Sequence, residues 1–261
     1  MTEPPIRVKT EQGDKPLRLD PPTAAQVATK DAAQTTEQAP TKATGEPVWV
    51  TYKGDADRAT YGLQEIPYVG QIEPVMAATA ALRGKSLVEA HGGTLDVALC
   101  IQGSVDLAWA VQRCQGMADA LRPLGVRVDI LSGEFFAQPP NVPTSVISQW
   151  FVDNPGVDFV FTTATPVLTL ALSLREAGTI PHGAVIGSVD LNAETLDAIR
   201  TGACAFAVDQ QPYLQGYMAI TLLDLDGQFA IRPGAPIQTG PFFVDSSNVD
   251  QITLLVQEGF R

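Results

Sequence analysis

ACAFAVDQQPYLQGY, residues 203–217, decides how the rest of the chain is read. CAFAV (204–208) is an apolar run of strand length. Beyond it, Leu214, Tyr217, Met218, Thr221, Leu222 and Leu225 recur at helical spacing and predict one apolar stripe. Between strand and helix stand Asp209, Gln210 and Gln211, a carboxylate and two carboxamides at the carboxyl end of a predicted strand.

Upstream, the same unit repeats. LDVALCI (95–101) is continuously apolar, as a strand buried on both faces requires. Leu107, Ala110, Val111, Cys114, Met117, Ala118 and Leu121 follow at helical spacing. VRVDIL (126–131), DFVFTT (158–163) and GAVIGS (183–188) read as strands, with helix-like stretches around 146–151 and 167–174 between them. Asn192 is placed to cap the next helix and Gly202 to end it. Strict β-α alternation predicts an α/β fold, a Rossmann-like, mostly parallel sheet with helices on both faces. In such sheets ligands bind beyond the carboxyl ends of the strands. The informative residues are therefore 102–106, 132–136, 162–165, 189–192 and 209–211.

Before Val48 the character differs. Residues 1–46 hold no Phe, Tyr or Trp and are rich in Pro, Thr, Gln and charge, the composition of a disordered tail. VWVTY (48–52) then reads as a strand and GDADR (54–58) as a turn.

The chain has 261 residues, 45% of them hydrophobic, enough for a sizeable core. Its formal net charge of −12, without a Lys/Arg cluster, gives no footprint for nucleic acid. No stretch is apolar for long enough to insert in a membrane, and residues 1–40 lack the apolar core of a secretory signal. Nucleophile elbow, phosphate loop, dinucleotide glycine fingerprint and HExxH spacing do not occur, so no cofactor and no metal are expected. His91 and His182 lie in predicted surface turns. Cys100, Cys114 and Cys204 read as core thiols, with a Cys100–Cys114 disulfide as the alternative that geometry decides. The strand ends instead carry Asp190, Asp209 and Gln210, with Arg113 on a helix flank. Such planar groups suit vicinal hydroxyls, because each bonds two neighbouring oxygens. Phe136 would add an apolar wall. Binding, not catalysis, is the expectation.

AVDQQPYLQGYMAI (207–220) also resembles a family: the substrate-binding proteins of bacterial sugar ABC transporters, in the ribose-binding-like, two-lobed branch. PYVGQ (67–71) is similar to the family's crossing from first to second lobe. QRCQG (112–116) is similar to its R-x-x-G, and VDLNAETLDAIRTG (189–202) to its F-D-x-S-P-E-x-L segment, with Val189 in place of Phe. TGPFFVDSSNVD (239–250) resembles its closing motif. The resemblance implies that Arg113, Asp190 and Gln210 contact a sugar, with Phe136 and Asn141 as further pocket residues. It implies an ABC permease as partner and a periplasmic or cell-surface location. It further implies that 47–70 and 210–241 are a remnant of the first lobe, and that 71–209 and 242–261 are the second, sugar-binding lobe. A first lobe so reduced predicts weak binding and a sticky surface near Tyr52, Tyr213 and Tyr217. The competing readings are a sugar-sensing effector domain of a regulator and a non-functional truncated fragment.

Overall fold

The computed structural model describes residues 51–52, as backbone, and 66–261. The expected tail (1–46), the start of the VWVTY strand and the GDADR turn lie outside them. Among the described residues the elements run β1 (Thr51–Tyr52), β2 (Tyr68–Gly70), α1 (Glu73–Ala90), β3 (Val97–Gln102) and α2 (Ala108–Leu121). There follow β4 (Arg127–Ser132), α3 (Thr144–Asp153), β5 (Phe159–Thr162), α4 (Thr165–Glu176), β6 (Val185–Val189) and α5 (Ala193–Thr201). The chain continues through β7 (Phe206–Asp209), α6 (Pro212–Phe229), β8 (Ile237–Gln238), β9 (Phe242–Asp245) and α7 (Val249–Gln257).

Two sheets form. The larger has strand order β4-β3-β5-β6-β7-β9, parallel throughout except for β9, which pairs antiparallel with β7. The smaller is β1-β2-β8, all parallel. Three segments pass between the sheets: β2 to α1, β7 to α6, and β8 to β9.

The predicted β-α alternation from residue 95 onward is present, and its cause is visible in the cores. Successive side chains on a strand point to opposite faces. Ala98 and Cys100, Phe159 and Phe161, Phe206 and Val208 pack on one face, against Met76, Ala77, Ala80 and Ala81 of α1 and Met117, Ala118 and Leu121 of α2. Leu99 and Ile101, Val160, Ile186 and Ala207 pack on the other, against α3, α4, α5 and α7. Each fully buried Phe contributes roughly 1.5–3 kcal/mol by leaving water. Where the aromatic layer is thickest, glycine makes room: a Cβ on Gly187 would fall 2.4 Å from the Phe206 ring.

Two readings change. Residues 73–90 carried no predicted element, yet form the long helix α1. Its inner face is mostly alanine and Gly84, too little apolar contrast to register as a stripe. On α6, the buried positions are Gln215, Ala219, Leu222 and Asp226, whereas Leu214 and Tyr217 of the predicted stripe are exposed. The inward polar residues find partners: Gln215 donates to the Gln210 carbonyl and to Thr239 Oγ1, and Oδ2 of Asp226 accepts from Arg232.

Cys100 and Cys114 are joined in a disulfide, Cα atoms 5.6 Å apart, between β3 and α2. Cys204 is a buried free thiol whose pKa burial pushes up to about 12, against a hydrogen bond to the Phe206 carbonyl and the charge of Arg175.

Candidate functional site

The chain order reverses direction between β3 and β5, the switch point where open α/β sheets leave a crevice. Arg113 reaches it from the second turn of α2. Its guanidinium is buried, and three of its five N–H groups are committed. Nε and Nη2 donate to the two carboxylate oxygens of Glu73 at 2.7 and 3.1 Å, and Nη1 donates to the Thr163 carbonyl at 2.6 Å. Nη1 also lies 4.0 Å from Asp190 Oδ2. The guanidinium covers the Trp109 ring at 4.7 Å, and Trp109 meets Phe136 edge-on at 5.4 Å.

Asp190 ends β6 in the left-handed region, φ 74°. Asp is among the few residues that adopt this conformation at modest cost. Its amide donates to the Val208 carbonyl at 2.8 Å, which ties the turn to β7. Its Oδ1 accepts from Gln210 Nε2, and its side chain remains 40% accessible. Gln210 is held by its carbonyl, which accepts from Thr239 Oγ1 and Gln215 Nε2. Gln211 is also left-handed, φ 57°, and its amide donates to Asp209 Oδ1. Thr239 belongs to the β8–β9 crossing and its amide donates to the Gly70 carbonyl, so one residue connects all three passages between the sheets.

Arg113, Asp190 and Gln210 are therefore brought together. Phe136, 41% exposed, joins them through Trp109. Asn141 does not join: it is exposed, and its backbone pairs with Glu134. Glu134 braces the β3–α2 loop, accepting from Ser104 Oγ at 2.6 Å and the Val105 amide at 2.9 Å. These two bonds hold its carboxyl below the usual range, against a smaller desolvation effect.

Glu73, Trp109 and Thr239 were missed by the sequence reading. Trp109 lies four residues before Arg113 and so shares its helix face, a signal that could have found it. Glu73 precedes Pro74 at a helix start, where a carboxylate reads as a dipole partner. Thr239 begins TGPFFVDSSNVD, with nothing local to single it out. Glu73 and Asp190 carry two negative charges against one on Arg113, while Asp209 is matched by Arg261. The arrangement can accept and donate hydrogen bonds to hydroxyls, and it disfavours an anion. A cavity of about 120 Å³ is lined by Asp190, Leu191, Asp209, Gln210, Pro212, Gln215 and Arg261. Among the described residues, no His, Cys, Asp and Glu cluster is arranged to hold a metal ion.

Similarity to known proteins runs across this frame. A xylose/arabinose-binding protein from Sulfolobus acidocaldarius is 27% identical over 197 residues, 72% of this chain and 47% of its own length. The chain thus spans about half of that curated relative. A solved carbohydrate transporter from Acidothermus cellulolyticus 11B, in complex with myo-inositol, is 26% identical with TM-score 0.66, covering 84% of this chain and 72% of its own. An arabinose-binding protein from Geobacillus stearothermophilus shares the fold at 19% identity, with TM-score 0.63 over 78% of this chain and 70% of its own. The periplasmic binding protein domain matches residues 28–227. A match over most of the chain places it: the protein belongs to the periplasmic binding protein domain family.

Proposed function

We propose that this chain binds an uncharged monosaccharide or related polyol as the solute receptor of an ABC importer. The observation that carries the reading is Asp190, held left-handed at the end of β6 with Oδ1 on Gln210 and Oδ2 facing Arg113. A hydroxyl between Asp190 Oδ2 and Arg113 Nη1 would donate to one and accept from the other, with Trp109 and Phe136 alongside as an apolar wall. The names of the relatives, which bind xylose, arabinose and inositol, support the same ligand class. No step of bond making is needed, and the reading is of a binding protein rather than an enzyme.

In this reading 71–209 and 242–261 form the sugar-binding lobe, and 47–70 and 210–241 the part of the other lobe present here. A permease is the partner, and the location is outside the cytoplasm. The Cys100–Cys114 disulfide supports an oxidising compartment.

Calorimetric titration with D-xylose, D-arabinose, D-ribose and myo-inositol tests the proposal. We expect a saturable heat with at least one of them, and none with the matching sugar phosphate. Asp190→Ala should weaken binding by at least tenfold, the loss of a hydrogen bond to a charged group. Equal affinity of wild type and Asp190→Ala would remove the site assignment, and absence of binding across the panel would remove the ligand class.

A further inference from the structure

Arg261 closes the same pocket from a part of the sequence that none of the motifs includes. Its Nη1 donates to Asp209 Oδ2 at 2.7 Å, its guanidinium lies 4.7 Å over the Phe242 ring of β9, and it lines the 120 Å³ cavity beside Asp190 and Gln210. Phe260 meets Tyr213 of α6 edge-on at 5.1 Å and fastens the segment. Asp209 is 2% exposed, so its carboxylate depends on this cation for a charge partner. The other oxygen of Asp209 receives the amide of Gln211, the residue that turns left-handed between β7 and α6.

We infer that Arg261 is a positioning residue of the ligand site, acting through Asp209 to hold the 209–211 turn and thereby the aim of Gln210 toward Asp190. Without the guanidinium, a buried carboxylate is left unpaired, and it must rotate to water or take up a proton. Rotation releases the Gln211 amide, and protonation leaves it a weaker, uncharged acceptor. Gln210 is the next residue back, and its carboxamide then loses its fixed approach to Asp190. The turn is what Arg261 controls, and the sugar senses it only through the turn.

The inference rests on the proposed binding function for its ligand consequence but not for its geometry, and the experiment separates the two. Arg261→Met, Arg261→Lys and the double variant Arg261→Met/Asp209→Asn are compared with wild type by hydrogen–deuterium exchange and by titration with D-xylose, D-arabinose and myo-inositol. In Arg261→Met, amide exchange should accelerate in 209–217 and stay unchanged in β3, β5 and α2. Arg261→Lys should restore most of the protection, since an ammonium still pairs the carboxylate. The double variant should recover part of it, because the unpaired charge is gone. For whichever sugar wild type binds, Arg261→Met should weaken binding roughly tenfold. Unchanged exchange in 209–217 overturns the inference whether or not any sugar binds. So does uniform acceleration throughout the protein, which marks a merely structural role. If no sugar binds wild type while the local exchange pattern is seen, the ligand reading falls and the positioning role of Arg261 stands.

Discussion

At the scale of single residues, the feature with the largest energetic stake is the Glu73–Arg113 pair. Both side chains are almost wholly buried and meet through two hydrogen bonds. Breaking such a pair from one side strands a charge, which costs about 3–5 kcal/mol, whereas replacing both partners with apolar groups costs far less. Glu73→Gln should therefore lower unfolding free energy in urea by several kcal/mol, on that same scale. The double change Glu73→Leu/Arg113→Met should be more stable than Glu73→Gln while binding no sugar. If the double variant is the less stable, the pair is contributing through something other than mutual neutralisation. Arg113 could be singled out as a candidate site residue from QRCQG and its place on α2. Its anchor was not, because Glu73 lies 40 residues away and only the packing of α1 on α2 brings them together.

At the scale of elements, α2 is fixed at two neighbouring points, by Arg113 and by the disulfide from Cys114 to Cys100 of β3. The closed loop spans a sequence separation of 14 and carries 102–106, one of the expected ligand segments. Closing a loop of that length stabilises by roughly 3 kcal/mol in the chain-entropy account. Cys100→Ala/Cys114→Ala should lose stability of that order in urea unfolding, and reduction of wild type should produce the same shift. A second junction, between α1 and β9, is Arg83 with Asp245. Burial opposes ionisation of the Asp245 carboxyl, but hydrogen bonds from Ser247 and the charge of Arg83 together hold it below its usual range. A depressed carboxylate stabilises the fold above its unfolded pKa, about 3.9, and that contribution disappears as pH falls through the lower folded value. Asp245→Asn should therefore flatten the loss of stability below about pH 4 and leave the neutral plateau's shape unchanged, as read from unfolding midpoints across pH. The cysteines show where local reading stopped: spacing admitted both three thiols and one bridge, and only the 5.6 Å Cα separation chose between them.

At the scale of the whole molecule, the two sheets differ in how well the described residues cover them. The six-stranded sheet has helices on both faces. The three-stranded sheet is packed by α6, whose outer side leaves Tyr217 and Ile220 47% and 70% exposed, with Tyr213 and Leu214 beside them. An apolar surface of this kind binds hydrophobic probes and favours association. The protein should enhance the fluorescence of a hydrophobic dye in its folded state, and Tyr217→Lys/Ile220→Lys should reduce that signal without lowering the unfolding midpoint. A folded wild type that leaves the dye unchanged would contradict the sticky surface expected around Tyr213 and Tyr217. Tyr52, the third residue of that expectation, has no described side chain.

What the sequence by itself determined is the repeating unit: apolar strand runs, helical spacing after them, the Asn192 cap, whose side chain accepts from the Thr195 amide, and the Gly202 stop. These are local, and each is written in a few adjacent residues. It also marked Asp190 and Gln210, because strand ends in a parallel sheet are positions that can be counted. The tertiary structure alone decided the partners: Glu73 for Arg113, Thr239 for Gln210, Cys100 for Cys114, Arg261 for Asp209. It also decided which side of α6 faces inward. Apolar residues lie on more than one side of α6, and the inward side is the one whose buried polar groups, Gln215 and Asp226, find their mates only once the chain has folded.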